Sequence, residues 1–262
     1  MRASEFVAAF AFLFYAVVPW FGDVPFRRRL RVTGVSVLML LAVNVVSHSG
    51  ALVRDSAPVL YILVGYYLSG WLFVRPSAAT ERWLLGWDHR LLGDPTTRFS
   101  HWPAAFLAYL DAVYTGCFLL LPSGFATLAL TGHSDVANRY WTVVTAAELG
   151  AFMPLAFIQT RPPWVLERRA DLPDSVVHRM AEQAVRNVSI GVNTFPSGHA
   201  AGSLGIALAL AGVAPIAGVC FLLISASICV ACVVGRYHYV IDVVAGIALA
   251  LGVWAVTIAI GI

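Results

Sequence analysis

Asn193-Thr194-Phe195-Pro196-Ser197-Gly198-His199 opens one apolar run, and Gly235-Arg236-Tyr237-His238-Tyr239-Val240-Ile241-Asp242 opens the next but one. An apolar segment that begins at one membrane face ends at the other, and the following segment returns. Both stretches therefore stand at the same face, each at the N-terminal end of a helix. Two histidines, a serine, an arginine and an aspartate converge there. The remaining chain reads as the bundle that places them.

Composition supports that reading. Of 262 residues, 60% are hydrophobic and 12% charged, against about 25% charged in an average soluble chain. Apolar runs approach the roughly 20 residues that cross a bilayer. The expected fold is all-α, a polytopic membrane helix bundle of about eight spans (six to eight) with two interfacial amphipathic helices. The formal charge of +3 rests on arginine alone, and no basic block is interleaved with aromatics. Nucleic acid is excluded as a partner. Cys117, Cys220, Cys229 and Cys232 all fall inside apolar segments, where a cysteine acts as a small hydrophobe.

Apolar segments are expected at Glu5–Phe21, Val32–Val46, Pro58–Val74, Ala104–Leu121, Tyr140–Ile158, Gly198–Val213, Pro215–Val234 and Tyr239–Ile260. Arg27-Arg28-Arg29-Leu30-Arg31 reads as a basic loop, and residues 122–139 read as another loop. Within residues 77–103, Trp83, Leu84, Trp87, Leu91 and Leu92 alternate with Glu81, Arg82, Asp88 and Arg90 at helical spacing. This is an amphipathic helix whose polar side, Asp88 and His89 included, is expected to face solvent or headgroups. A second is expected in the connection Arg161–Phe195, with Asp174 as N-cap and Val177, Met180, Ala184, Val185 and Val188 on one side. Asp111 lies inside the fourth segment, as a functional group or part of a polar network. Glu148 is expected toward the opposite face from the motifs, in a structural role. Residues 1–99 form N-terminal spans and the interfacial helix, and 100–262 a catalytic bundle, together one integrated membrane domain.

The converging residues suit phosphoryl transfer, which needs positive charge and hydrogen-bond donors around phosphate oxygens, an in-line nucleophile and an acid. Unpaired N–H groups at a helix start bind anions, and Gly198 permits close approach. Ser197 adds a hydroxyl, and Arg161 and Arg236 add guanidinium forks. His238 and Asp242 stand four residues apart and share a helix face. Asp242 can hold one ring nitrogen, which leaves the other as nucleophile. His199 can protonate the leaving oxygen and then activate water or an alcohol.

Pro196-Ser197-Gly198-His199, followed by His238 and Asp242 in an H-x-x-x-D pattern, resembles the type 2 phosphatidic acid phosphatase superfamily of membrane lipid phosphatases and phosphotransferases. The resemblance covers roughly residues 100–250. The usual first motif, K-x6-R-P, is matched by Arg161-Pro162, with Pro154 in the lysine position. In the third motif Cys232 stands where the family has arginine, so Arg236 would have to substitute. Phe152-Met153-Pro154, Gln159-Thr160-Arg161-Pro162-Pro163 and the R-Y-H-Y run look closer to the inositolphosphorylceramide-synthase-like branch. The resemblance implies a phosphohistidine at His238, no metal, no cofactor, and a lipid phosphate or pyrophosphate as substrate. Transfer of an inositolphosphoryl or other headgroup to a lipid hydroxyl is the alternative enzyme. A transporter or non-catalytic scaffold is the alternative of another class, although no inverted repeat is visible. The sequence assigns no oligomeric state.

With eight spans, the motif face owns every arginine except Arg2, Arg54 and Arg139. Arginine-rich short loops stay in the cytoplasm. The expected setting is therefore the cell membrane, with the site at the cytoplasmic face.

Overall fold

The computed structural model describes residues 1–167, 183 and 189–262. Among them every regular element is helical, and one isolated antiparallel bridge joins Thr160 to Asn193. Helix α1 (Ala3–Val17) runs into a 3-10 turn ending at Phe21, followed by α2 (Phe26–Ser47) and α3 (Ala51–Leu72). Helices α4 (Ala78–Leu92) and α5 (Pro95–Ser100) precede α6 (Ala104–Gly116) and α7 (Leu120–Leu130), which a 3-10 turn joins. Then come α8 (Ala137–Phe152), the single turn α9 (Pro163–Leu166), α10 (Gly198–Ala211), α11 (Pro215–Val234) and α12 (Val240–Ala259).

Among the described residues five stretches are long and apolar enough to cross a membrane: Ala3–Phe21, Phe26–Ser47, Ala104–Leu130, Pro215–Val234 and Val240–Ala259. The protein is an all-α membrane helix bundle. Helices α8 and α10 form its centre, and α10 is buried over most of its length. It packs against α8, α11 and α12, while α8 also meets α1 and α3. Lipid supplies no hydrophobic drive between helices, so close backbone approach must hold them. Gly246 of α12 provides one such approach, because a Cβ there would stand 2.6 Å from the Ser197 carbonyl oxygen.

The ends of the bundle are distinct. At one, the Arg54 fork grips Glu5 at 2.7 and 2.9 Å, Arg2 pairs with Asp55, and Arg139 donates to the Ile262 carbonyl. At the other, Arg28 donates to the Phe73 carbonyl at 2.7 Å, and the Gln159 side chain accepts from Val74 and Arg75. The Ser77 N–H donates to the Gln159 carbonyl, Trp164 to that of Arg236, and Ser197 to that of Asp242. The loops after α1, α3, α8 and α11 thus interlock at one end. Arg2, Arg54 and Arg139 lie at the other.

Two expectations change here, and a third falls outside the described residues. The basic run 27–31 is not a loop but the first turns of α2. Pro25 precedes it, and Arg29 reaches back to the carbonyls of Val24 and Gly22, so the guanidinium satisfies loop acceptors while the backbone turns. The fourth span does not end at Leu121 but continues to Leu130. Pro122 is the third residue of α7, where the missing N–H would lack an intrahelical acceptor anyway. The second amphipathic helix, with Asp174, Val177, Met180, Ala184, Val185 and Val188, lies outside the described residues.

Candidate active site

The α11–α12 turn is built by backbone chemistry. Arg236 N–H donates to the Val233 carbonyl at 3.1 Å and Tyr237 N–H to that of Cys232 at 2.9 Å. These are the two bonds of a Schellman helix end, whose left-handed position is normally glycine. Here Arg236 occupies it with φ 56, at a cost of roughly 1–2 kcal/mol for a residue with a Cβ. Its guanidinium, 1% exposed, offsets that cost by donating to Asp88 Oδ2 at 2.7 Å and Glu167 Oε2 at 2.8 Å. The His238 N–H also reaches the Cys232 carbonyl, at 3.0 Å. Cys232 therefore organises the turn through its carbonyl oxygen.

The turn delivers His238 to the start of α10. Its Nε2 lies 3.4 Å from His199 Nδ1, and its Nδ1 lies 3.5 Å from Asp242 Oδ2. The carboxylate also accepts the Tyr239 N–H at 3.0 Å, which closes the first turn of α12. Asp242 is wholly buried and His238 nearly so. Burial pushes the His238 imidazolium down to about 3, which favours the uncharged ring. The three residues expected to carry the chemistry are brought together.

His199 is held by an aromatic stack. Tyr114 of α6 lies parallel to its ring at 4.8 Å and parallel to Tyr237 on the other side at 3.8 Å. Phe118 meets His199 edge-on at 5.9 Å. The Tyr237 hydroxyl reaches Asp111 Oδ1 at 3.4 Å, which places Asp111 in the polar network beneath this stack. The Tyr114 contact is one that sequence reading misses, since only proximity in space links it to the motifs.

The four expected phosphate ligands separate. Gly198 lines the cavity beside the histidines. Ser197 does not: it is wholly buried, and its Oγ accepts the Ala200 N–H as the N-cap of α10. That use was legible, because a serine directly before a helix is an N-cap first. Arg161 forks onto Glu81, with Nε to Oε1 at 3.0 Å and Nη2 to Oε2 at 2.8 Å, and its side chain is 40% exposed. Arg236 points at Asp88 and Glu167, away from the histidines. Neither arginine lines the cavity.

Those carboxylates correct the reading of α4. Glu81 and Asp88 are buried at 3% and 0% exposure instead of facing headgroups. They are seven residues apart, two helical turns, and so share the face turned to the motif loops. Asp88 Oδ1 also accepts the Val240 N–H at 2.9 Å, satisfying the start of α12. Arg161 holds the Glu81 carboxyl below its usual range. Burial pushes Asp88 up, opposed by the Val240 N–H and Arg236. Glu167, bonded to His89 Nε2 at 2.6 Å, raises that imidazole. The Ser77 hydroxyl, N-cap of α4, fixes the helix by accepting the Thr80 N–H.

Glu148 is likewise corrected. It lies at the motif end of α8, lining the cavity with Gly198, His199 and His238. That cavity, about 910 Å³ including its mouth, is walled by Ile62, Leu63, Phe118, Leu121 and Ile206. It is an apolar chamber with the histidine pair in its wall. Among the described residues no group of three His, Cys, Asp or Glu side chains gathers as metal ligands.

The family model of the PAP2 superfamily matches residues 82–256. That is more than half the chain, and the chain belongs to this superfamily. Its class is that of phosphatases and phosphotransferases. No curated protein and no solved structure matches the chain.

Proposed function

We propose that the protein cleaves or transfers the phosphoryl group of a membrane lipid phosphate or pyrophosphate through a phosphohistidine at His238. The observation that carries this reading is the His238 ring facing His199 at 3.4 Å in the wall of an apolar cavity, with Asp242 behind it. In the first step His199 is protonated beside the bound phosphate anion; His238 Nε2 attacks phosphorus, the P–O bond to the lipid breaks, and His199 gives its proton to the leaving oxygen. Asp242 stabilises the charge that develops on the His238 ring. In the second step His199, now neutral, takes a proton from water or an alcohol, which attacks phosphorus and frees His238.

An attacking atom stands about 3–3.5 Å from the reacting centre, with the acid a further hydrogen bond beyond the leaving oxygen. The 3.4 Å contact between the rings must therefore open as the phosphate enters. At the start of α10 the Gly198 N–H already donates to Thr194 Oγ1 and the Ala200 N–H to Ser197 Oγ, which leaves the His199 N–H to meet a phosphate oxygen. Arg161, the more exposed arginine, swings from Glu81 to join it, while Arg236 stays in place and positions the turn.

The test is purified protein with a panel of lipid phosphates and pyrophosphates, with and without inositol-phospholipid donors and lipid alcohols, following free phosphate and lipid products. Turnover lost in His238→Ala is the expected result; full activity in that variant overturns the mechanism. A product on the lipid alcohol instead of free phosphate would select the inositolphosphorylceramide-synthase-like branch. We place the site at the cytoplasmic face of the cell membrane, on the arginine asymmetry. In a cysteine-free background, Arg90→Cys should resist an impermeant thiol reagent until cells are permeabilised, and labelling of intact cells would reverse the orientation.

A further inference from the structure

Among the described residues Glu148 is the one acidic side chain lining the cavity. Its carboxyl sits in a notch on α10, where a Cβ on Gly202 would fall 1.8 Å from Oε1 and one on Gly198 3.4 Å from Oε2. Gly198 immediately precedes His199, so the carboxyl lies within about one residue of the acid–base histidine on the same wall. The described residues give Glu148 no hydrogen bond and no ion pair. An acidic group held inside a membrane bundle without a partner is costly and normally marks a functional position. A lipid bound there by alkyl contacts alone would leave that group unsatisfied.

We propose that Glu148 accepts a hydrogen bond from a hydroxyl of the lipid in this cavity, and so selects lipids that carry a hydroxyl a few bonds from the phosphate position. The assignment of the reacting end rests on the function proposed above; the hydroxyl recognition does not. The hydroxyl belongs either to the lipid that brings the phosphate or to a lipid alcohol that receives it. Both present the same O–H to the same carboxyl. Gly202 is part of the device, because any larger residue displaces the carboxyl from its notch. Specificity of this kind discriminates strongly, since a buried polar group left unpaired penalises the analogue that lacks the hydroxyl.

The experiment compares 1-O-alkylglycerol 3-phosphate, with its free 2-hydroxyl, with the matching 2-deoxy phosphate. Wild type, Glu148→Gln, Glu148→Leu and Gly202→Ala are assayed in detergent micelles. Wild type should prefer the hydroxylated substrate by about tenfold in kcat/KM, carried by KM. The preference should fall to within about twofold in Glu148→Leu and Gly202→Ala, with Glu148→Gln between. An unchanged preference, or an equal loss on both substrates, overturns the proposal. Transfer of phosphate to added alkylglycerol against its deoxy analogue separates acceptor from donor. Binding is read independently as the rise in Tm with 1-O-alkylglycerol and with its deoxy counterpart. A hydroxyl-dependent rise that disappears in Glu148→Leu, without turnover of any phosphate, would sink the proposed reaction and keep this inference. Equal rises in wild type would sink the inference alone. Should Glu148→Leu fail to fold, Gly202→Ala and Glu148→Gln carry the same comparison.

Discussion

The histidines and the arginines of the motifs leave the same loops but enter opposite surroundings. His199 and His238 face each other in a cavity wall, with the Asp242 carboxyl 3.5 Å from His238 and aromatic rings around them. Arg161 and Arg236 turn outward onto a line of carboxylates, Glu81 and Asp88 of α4 with Glu167 beyond. The difference separates two jobs that a list of motif residues merges. The histidines are kept apart from the cations, whereas the cations are already paired with carboxylates and brace the loops. One arginine is locked at 1% exposure; the other is partly exposed on a single acidic partner.

Substitutions at the histidine side should have the largest effects. His238→Ala and His199→Ala should each lower kcat by more than about 10³-fold, beyond the usual 10²–10⁴ range's lower end for a proton-transfer group, with the protein still monodisperse in detergent. Asp242→Asn keeps the side-chain shape but removes the charge behind His238, and kcat should drop about 10²-fold. An asparagine variant as active as wild type would mean that the 3.5 Å contact is incidental.

The arginine side should respond in stability before catalysis. Asp88→Asn leaves the Arg236 guanidinium buried against one remaining carboxylate, and breaking such a pair costs about 3–5 kcal/mol. A fall in Tm should therefore accompany any loss of rate. Arg236→Lys should behave similarly, because an ammonium cannot span Asp88 and Glu167 together. If Arg236→Lys instead raised KM with Tm unchanged, Arg236 would be a phosphate ligand and the division between the two sides would fail. Glu81→Gln probes the mobile arginine. Freed from its carboxylate, Arg161 should bind phosphate more readily and lower KM by a few fold, while a raised KM would show Glu81 to be aiming it.

The smallest effect is expected at the stack. Tyr114→Leu removes ring contacts worth about 0.5–1.5 kcal/mol each, so kcat should fall several-fold with KM little changed. Tyr114→Phe keeps the stacked ring and should stay within about twofold. Equal losses in both would assign the role to the hydroxyl.

Hydropathy made the bundle legible, because a membrane leaves a backbone few alternatives to helix. It also made the convergence of His199, His238 and Asp242 legible, since the parity of the spans places both loops at one face. Pro122 misled because proline usually breaks a helix interior, yet here it stands in a first turn. Glu81 and Asp88 were visible as a two-turn repeat, but their acidity suggested water until Arg161 and Arg236 supplied buried partners. Ser197 could serve as ligand or cap, and backbone geometry decided for the cap. Tyr114 had no local signal, and Glu148 was visible as an acid in an apolar segment but assigned to the opposite face, because the meaning of both depends on which helices pack beside α10.

The central claim is that His238 becomes covalently phosphorylated, and trapping the adduct tests it most directly. Nitrophenyl phosphate, labelled at phosphorus, needs no proton on its leaving group, so His199→Ala should form the adduct and fail to hydrolyse it. An acid-labile, base-stable phosphate should appear on the peptide bearing His238, building up in His199→Ala and absent from His238→Ala. Label on another residue, or release of nitrophenol by His238→Ala at the wild-type rate, would contradict it.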